Sequence, residues 1–254
     1  MMKGKLLLPV IVVFLAVLLT AYGFRRVSRL PSKMHVNAGK GFAVVELFTS
    51  EGCSSCPAAD AAIERLLKKD ITNVYILVYH VDYWNRLGWT DQFSQSDFSD
   101  RQSQYAHTLE LNTIYTPQVI VNGTTEFVGS DENKLAASVE NNLSKNIGQP
   151  FIVQFERNRG RLSVHYEINN ADALRLNLAV IQSEATVLVK RGENGGKKLH
   201  HVNIVRILKT IEAKASGGIT IDIPEELATL PLQLIAYTQD KKTLRVMGAE
   251  KRIL

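Results

Sequence analysis

The chain has 254 residues, 45% of them hydrophobic, 22% charged and 7% aromatic, a globular mixture too apolar for a disordered chain. Its formal net charge of +5 sits largely at the start: residues 1–40 carry seven basic and no acidic side chains, residues 41–150 seven basic and 14 acidic, and residues 151–254 16 basic and 11 acidic. That distribution gives no case for a nucleic-acid partner. The two cysteines, Cys53 and Cys56, stand three positions apart, which excludes a disulfide-stapled scaffold.

Lys3 and Lys5 precede an uncharged run from Leu6 to Phe24, followed at once by Arg25, Arg26 and Arg29. Nineteen residues at ~1.5 Å each just span a ~30 Å hydrocarbon core. Residues 1–24 therefore read as a signal anchor, or as a signal peptide cut near Ala21-Tyr22-Gly23. Either reading makes the protein extracytoplasmic, in the periplasm or cell envelope, membrane-anchored through residues 6–24 or secreted. Residues 25–40 are polar, carry Pro31 and Gly39, and read as a linker.

The first folded domain is expected over residues 41–147. Gly41–Thr49 reads as a buried strand, followed by the turn Ser50-Glu51-Gly52 and the motif Cys53-Ser54-Ser55-Cys56. Pro57 suits a first helical turn, and residues 57–69 continue as a helix with Ile63, Leu66 and Leu67 on one face. Val74–Val81 is a second strand and residues 94–111 contain a second helix. Thr116–Gly123 and Glu126–Gly129 read as two short strands around an Asn-Gly turn, a strong hairpin signal. Asn133–Asn146 closes the domain as a helix.

A CxxC that opens a helix directly after a strand is suited to thiol chemistry. Orphan N–H groups and the positive end of the helix dipole stabilise a thiolate at the first cysteine, and the second lies one turn in, within reach of a mixed disulfide. Cys53 is the expected exposed nucleophile and Cys56 the expected resolving thiol. A CxxC is also half of a zinc site, but no further cysteine exists to complete one, and no metal or other cofactor is called for.

The order β–CxxC–α–β–α–Pro–β–β–α resembles the thioredoxin fold, and TPQVIVNG resembles the thioredoxin and glutaredoxin segment whose proline is cis and faces the CxxC. That resemblance implies that the Thr116 backbone pairs with an extended substrate and that Pro117 shields the disulfide. It also implies a buried carboxylate near Glu46, one residue out of register with the position that handles the resolving thiol's proton. His80-Val81-Asp82-Tyr83-Trp84 follows the second strand and should border the CxxC, since strand carboxyl ends share one sheet edge. His80, Asp82 and Trp84 thus read either as a rim that tunes Cys53 or as a capping loop over the core. The runs VVELFTSEGCSSCP, HVDYWNRLGW, YTPQVIVNG, FVGSD and RGENGGKKLHHVNIVR together resemble an exported, thioredoxin-like bacterial family labelled only as a domain of unknown function. This similarity runs from about Val44 to the C-terminus and implies a thioredoxin-like domain followed by a β-rich domain.

From Pro150 the pattern changes to period two. Alternating apolar residues at 151–155, 162–168, 174–178, 187–189, 219–223, 232–236 and 244–246 mark about seven strands. Residues 150–254 therefore read as a C-terminal antiparallel β-sandwich domain. His200 and His201 point to opposite faces of a strand and read as structural or surface groups, and RGENGGKK reads as an inert charged hairpin. The acidic first domain and basic second domain are expected to meet at a salt-sensitive interface.

The sequence thus points to a membrane-anchored or exported thiol–disulfide oxidoreductase. Its expected partners are protein or peptide disulfide and dithiol substrates and a redox partner protein. The alternatives are an extracytoplasmic copper-handling protein using Cys53, Cys56 and His80, and a non-catalytic thioredoxin-fold binding module.

Overall fold

A computed structural model describes residues 41–145, 148–158 and 160–254. The anchor or signal expected at 1–24, its membrane contact and the linker at 25–40 lie outside the described residues. Among the described residues no helix is long and apolar enough to cross a membrane.

The β-branched run Ala43–Thr49 forms β1, buried on both faces, and pairs in parallel with β2 (Val74–His80). Burial on both faces is what a near-continuous apolar strand in a parallel pair requires. Between them lies helix α1 (Cys56–Lys68), with Pro57 in its first turn and Ile63 and Leu66 buried. Helix α2 (Ser96–Thr108) follows β2, then the antiparallel pair β3 (Gln118–Val121) and β4 (Thr125–Val128), then α3 (Glu132–Ser144). Asn122 and Gly123 have φ of 48° and 69°, the two successive positive values that a primed hairpin turn needs. A Cβ on Gly123 would fall 1.9 Å from the Leu244 carbonyl oxygen, so glycine is required there on two counts.

Seven strands follow: β5 (Phe151–Asn158), β6 (Arg161–Ile168), β7 (Leu174–Leu188), β8 (Lys198–Glu212), β9 (Ser216–Asp222), β10 (Leu232–Asp240) and β11 (Val246–Ile253), with a one-turn helix α4 (Glu225–Ala228) before β10. The result is a mixed α/β fold with a large mixed sheet, ordered β11-β10-β7-β8-β2-β1-β3-β4, and a second antiparallel sheet, β5-β6-β9. Two β-layers do face each other: Leu162, Val164 and Ile221 of the small sheet share a core with Leu176, Leu178 and Leu234 of the large one. The larger layer, however, belongs to the same sheet as β1 and β2 and does not close a sandwich of its own.

Several strand assignments differ, and the stretch expected at 244–246 gives way to β11, which begins at Val246 and runs to Ile253. The stretches 174–178 and 187–189 are parts of the single 15-residue β7, and β8, also 15 residues, carries no clean alternation. Its middle, Val202–Val205, is buried on both faces because β8 lies inside the sheet between β7 and β2. At the seam Val78 pairs in parallel with Ile204. There Asn203 takes φ 49°, a left-handed value asparagine tolerates, and its Nδ2 donates to the Ile76 carbonyl at 3.1 Å.

One face of the large sheet carries a core drawn from both segments. Phe48, Tyr79, Phe98 and Tyr105 pack with Ile181, Ile235 and Tyr237 beneath α2. Phe48 stacks on Tyr79 at 5.4 Å between ring centres, and Phe98 meets Tyr79 edge-on at 5.1 Å. Polar contacts cross the same boundary: Gln239 Nε2 donates to the Tyr105 hydroxyl at 2.8 Å, and Val246 N donates to Asn122 O at 3.0 Å. Apolar packing and buried hydrogen bonds cross the boundary between the segments.

Candidate active site

The turn after β1 delivers the motif to the carboxyl edge of the sheet. Cys53 N donates to Ser50 O and Cys56 N to Cys53 O, both at 3.2 Å, so Cys53 stands just before the first turn of α1 and Cys56 begins it. Both cysteines are free. Ser54 and Ser55 are exposed, but Cys53 is only 1% exposed, so the expected open nucleophile is instead covered. Its Sγ lies 3.3 Å from Ser55 Oγ and 3.8 Å from the carbonyl oxygen of Thr116.

These surroundings split the acidities of the two thiols. A hydrogen bond from the Cys56 thiol, opposed by burial and supported by the Ser55 hydroxyl, holds the Cys53 thiol well below its ordinary value. Burial, followed by the hydrogen bond given to Cys53 and the charges of Cys53 and Asp60, pushes Cys56 far above the thiol range. Cys53 is thus the readily ionised sulfur and Cys56 the protonated one.

The bond between Thr116 and Pro117 is cis, and Thr116 Oγ1 accepts a 2.8 Å hydrogen bond from Trp84 Nε1. The structure therefore brings Cys53, Cys56, Thr116, Pro117 and Trp84 together. The other expected residues are placed differently. Asp82 Oδ1 accepts from the Ser99 hydroxyl, which in turn accepts from Asp82 N, so Asp82 fastens the start of α2. Glu46 lies on the face of β1 that α2 covers, away from α1. Its carboxylate takes two hydrogen bonds from Arg101, at 2.6 and 3.0 Å, and one from the Tyr105 hydroxyl. His80 is fully buried, with Nδ1 2.7 Å from Asp91 Oδ2, and the Asp91 carboxylate raises its affinity for a proton against the opposing effect of burial. Among the described residues no three His, Cys, Asp or Glu side chains are arranged to hold a metal ion.

Several site residues carry no local motif. Asn194, in the loop read as an inert hairpin, is fully buried and donates through Nδ2 to Glu51 O at 2.9 Å and to Cys53 O at 2.8 Å. Glu193 Oε2 accepts from Ser54 N at 2.9 Å. His201 is buried behind α1, while His200 on the opposite face is exposed beside Glu184 and Thr186. Glu51 and Asp60 complete a buried ionisable group behind the motif. The one available signal is that the RGENGGKKLHHVNIVR run belongs to the same family pattern as the CxxC.

The family described as "Protein of unknown function (DUF1223)" matches residues 44–239. The chain belongs to it. No curated protein matches the chain. Among solved structures, an X-ray crystal structure of a protein from Agrobacterium tumefaciens is similar at 29% identity and a TM-score of 0.59, covering 82% of this chain and 92% of that one. HBP35 of Porphyromonas gingivalis matches at 17% identity and a TM-score of 0.53, over 85% of this chain and 76% of that one, a likeness of fold alone. The family match includes the CxxC, the Thr116-Pro117 edge and the Asn194–His201 segment within one span.

Proposed function

We propose that this member of the family is an exported or membrane-anchored thiol–disulfide oxidoreductase with a thioredoxin-like arrangement around its CxxC. The observation that carries the reading is the placement of two free, buried cysteines where α1 begins, with the Cys53 sulfur 3.8 Å from the Thr116 carbonyl oxygen, a setting that lowers the Cys53 pKa and raises that of Cys56. A sulfur ionised at neutral pH beside a protonated partner suits a two-step exchange. The Cys53 thiolate attacks one sulfur of a substrate disulfide and expels the other as thiolate. Cys56 then loses its proton and attacks the Cys53 sulfur, releasing the second substrate thiolate and leaving the Cys53–Cys56 disulfide. Thr116 and Pro117 border the attacking sulfur and form the edge along which a peptide substrate lies. The potential of the couple and its partner protein set whether the cycle runs toward reduction or oxidation.

Two measurements on the reduced protein test this. Ultraviolet titration of the thiolate is expected to give a midpoint more than a unit below the ~8.5 of free cysteine. The Cys56→Ser variant is expected to accumulate a mixed disulfide through Cys53 with a model peptide disulfide, reversible by added thiol. A midpoint at or above ~8.5 together with no exchange overturns the proposal.

A further inference from the structure

Behind the dithiol the fold buries a chain of ionisable groups that neither the sheet nor the exchange of sulfurs explains. Asp60 stands four residues after Cys56 on α1, so the two side chains share one face of the helix, and both are buried. Asp60 Oδ1 accepts from the Thr49 hydroxyl at 3.0 Å. Its Oδ2 lies 3.4 Å from Nδ1 of His201, which β8 supplies. The other imidazole nitrogen, Nε2, lies 3.7 Å from Glu51 Oε1, while Glu51 Oε2 accepts from Trp89 Nε1 at 2.6 Å.

Neither nitrogen of His201 nor Glu51 Oε1 has a hydrogen-bond partner among the described residues, although each is shut away from solvent. Leaving a buried polar atom unpaired is destabilising, and a purely structural histidine is normally satisfied. An imidazole held between two carboxylates at slightly more than hydrogen-bond distance is suited to a group that gives and takes a proton, since a small shift of the ring closes either contact.

We propose that Asp60, His201 and Glu51 form a proton relay serving Cys56, an assignment that rests on the thiol–disulfide reading above. When Cys56 becomes the attacking sulfur, its S–H bond breaks and the proton passes to Asp60 and through the His201 imidazole toward Glu51. The freed electron pair forms the bond to Cys53 Sγ, and the bond from Cys53 to the substrate breaks with its pair leaving on the substrate thiolate. The net change is Cys53 thiolate, Cys56 thiol and a substrate disulfide giving the Cys53–Cys56 disulfide, two substrate thiolates and one proton on the relay. Reduction by a partner dithiol returns that proton to Cys56.

The charged groups that face the relay fit this role. From β2 comes His80, tied to Asp91, and the Asp91 Oδ2 also accepts from Glu51 N at 2.8 Å. His80 and His201 meet edge-on at 4.8 Å between ring centres, and Arg206 of β8 lies over the ring of Phe93, which packs against His201. Burial, then the Asp91 charge, raises the Glu51 pKa to about 7, against the Trp89 hydrogen bond and His201, which lower it. Glu51 can therefore hold or release a proton in the neutral range.

The test uses the full chain, reduced, mixed with a symmetric nitrobenzoate disulfide whose two coloured thiolates report the two steps in turn. His201→Gln and Asp60→Asn are each expected to slow the second release at least ~tenfold and to flatten its dependence on pH, leaving the first release within ~twofold. A second release that superimposes on wild type in both variants, at every pH, overturns the relay while leaving the oxidoreductase reading intact. No second release from wild type itself overturns the reading and the relay together. A measurement free of mutational damage is the 15N spectrum of the His201 imidazole. It is expected to differ between the reduced and oxidised wild-type protein, because a proton gained by the relay changes the hydrogen bonding of the ring to Asp60 or Glu51, and identical spectra overturn the relay.

Discussion

Glu51 has no exposed surface and lies beside Asp91, so burial and a like charge both oppose its ionisation. Its pKa, raised from 4.5 to about 7, means that the folded chain binds a proton the unfolded chain has already lost between those values. Stability therefore falls as pH rises from ~4.5 to ~7, by about 1.4 kcal/mol per pH unit at the steepest, and Glu51 contributes no further change above that. His80 acts in the same direction at higher pH: its raised affinity for a proton adds stability below ~6.5 that is lost as the folded-state group titrates. Glu51→Gln keeps an oxygen for Trp89 Nε1 and removes the titration. Urea unfolding at a series of pH values is expected to show a flatter profile for Glu51→Gln between pH ~4.5 and ~7, with the variant gaining on wild type as pH rises. Parallel profiles for the two proteins would remove this account of Glu51. The residues that were legible in sequence are those with a local signature: the CxxC before a helix, the Thr-Pro before a strand. Asp60, Asp91 and His201 were not, because a buried network is assembled by pairing across the sheet, and residues 60 and 201 have no local pattern that joins them.

At the scale of elements, the hairpin connection between β7 and β8 changes most in meaning. Residues 189–197 close on themselves through Val189 N to Lys197 O at 3.0 Å and Gly196 N to Val189 O at 2.8 Å, with Gly192 and Gly196 at positive φ. Its composition of glycine and charge looks like any exposed turn, and the charges are indeed exposed. What composition does not reveal is that the one uncharged polar side chain, Asn194, points inward and fastens the backbone on both sides of Gly52. Asn194→Ala leaves two carbonyl oxygens without that donor and is expected to cost roughly 1–3 kcal/mol in urea unfolding. It is also expected to raise the midpoint of the Cys53 thiolate titration, because the sulfur is no longer held against Ser55 and Thr116. Glu193→Ala, which removes one exposed acceptor, is expected to change stability little. An Asn194→Ala titration that overlies wild type would reduce the loop to a stabilising turn. A strand was expected at His200 and His201, but its continuation to Glu212 was not, for a related reason: alternation is a signal of half-buried strands, and the middle of β8, buried on both faces, loses it.

For the whole molecule, the expected boundary near residue 148 divides the sequence pattern but not the sheet. Period two begins where the chain leaves α3, and that change is real, yet β7, β8, β10 and β11 extend the same sheet as β1 and β2. The core beneath α2 would be cut through by separating the segments: Tyr79 would lose Tyr237, whose hydroxyls are 3.2 Å apart, and Tyr105 would lose Gln239. Separation would expose aromatic surface that neither half can rebury alone, so the halves are expected to unfold as one unit. The chain provides its own reporters, since both tryptophans, Trp84 and Trp89, lie in the first segment while the second is mainly strand. Tryptophan fluorescence and far-ultraviolet circular dichroism are expected to give coincident urea transitions. Because apolar packing and hydrogen bonds hold the seam, coincidence should persist from low salt to ~1 M, where the Debye length is about 3 Å and exposed charges are screened. Two separated transitions, or a single transition that splits as salt rises, would show instead that the acidic and basic segments are held by their charges and fold independently.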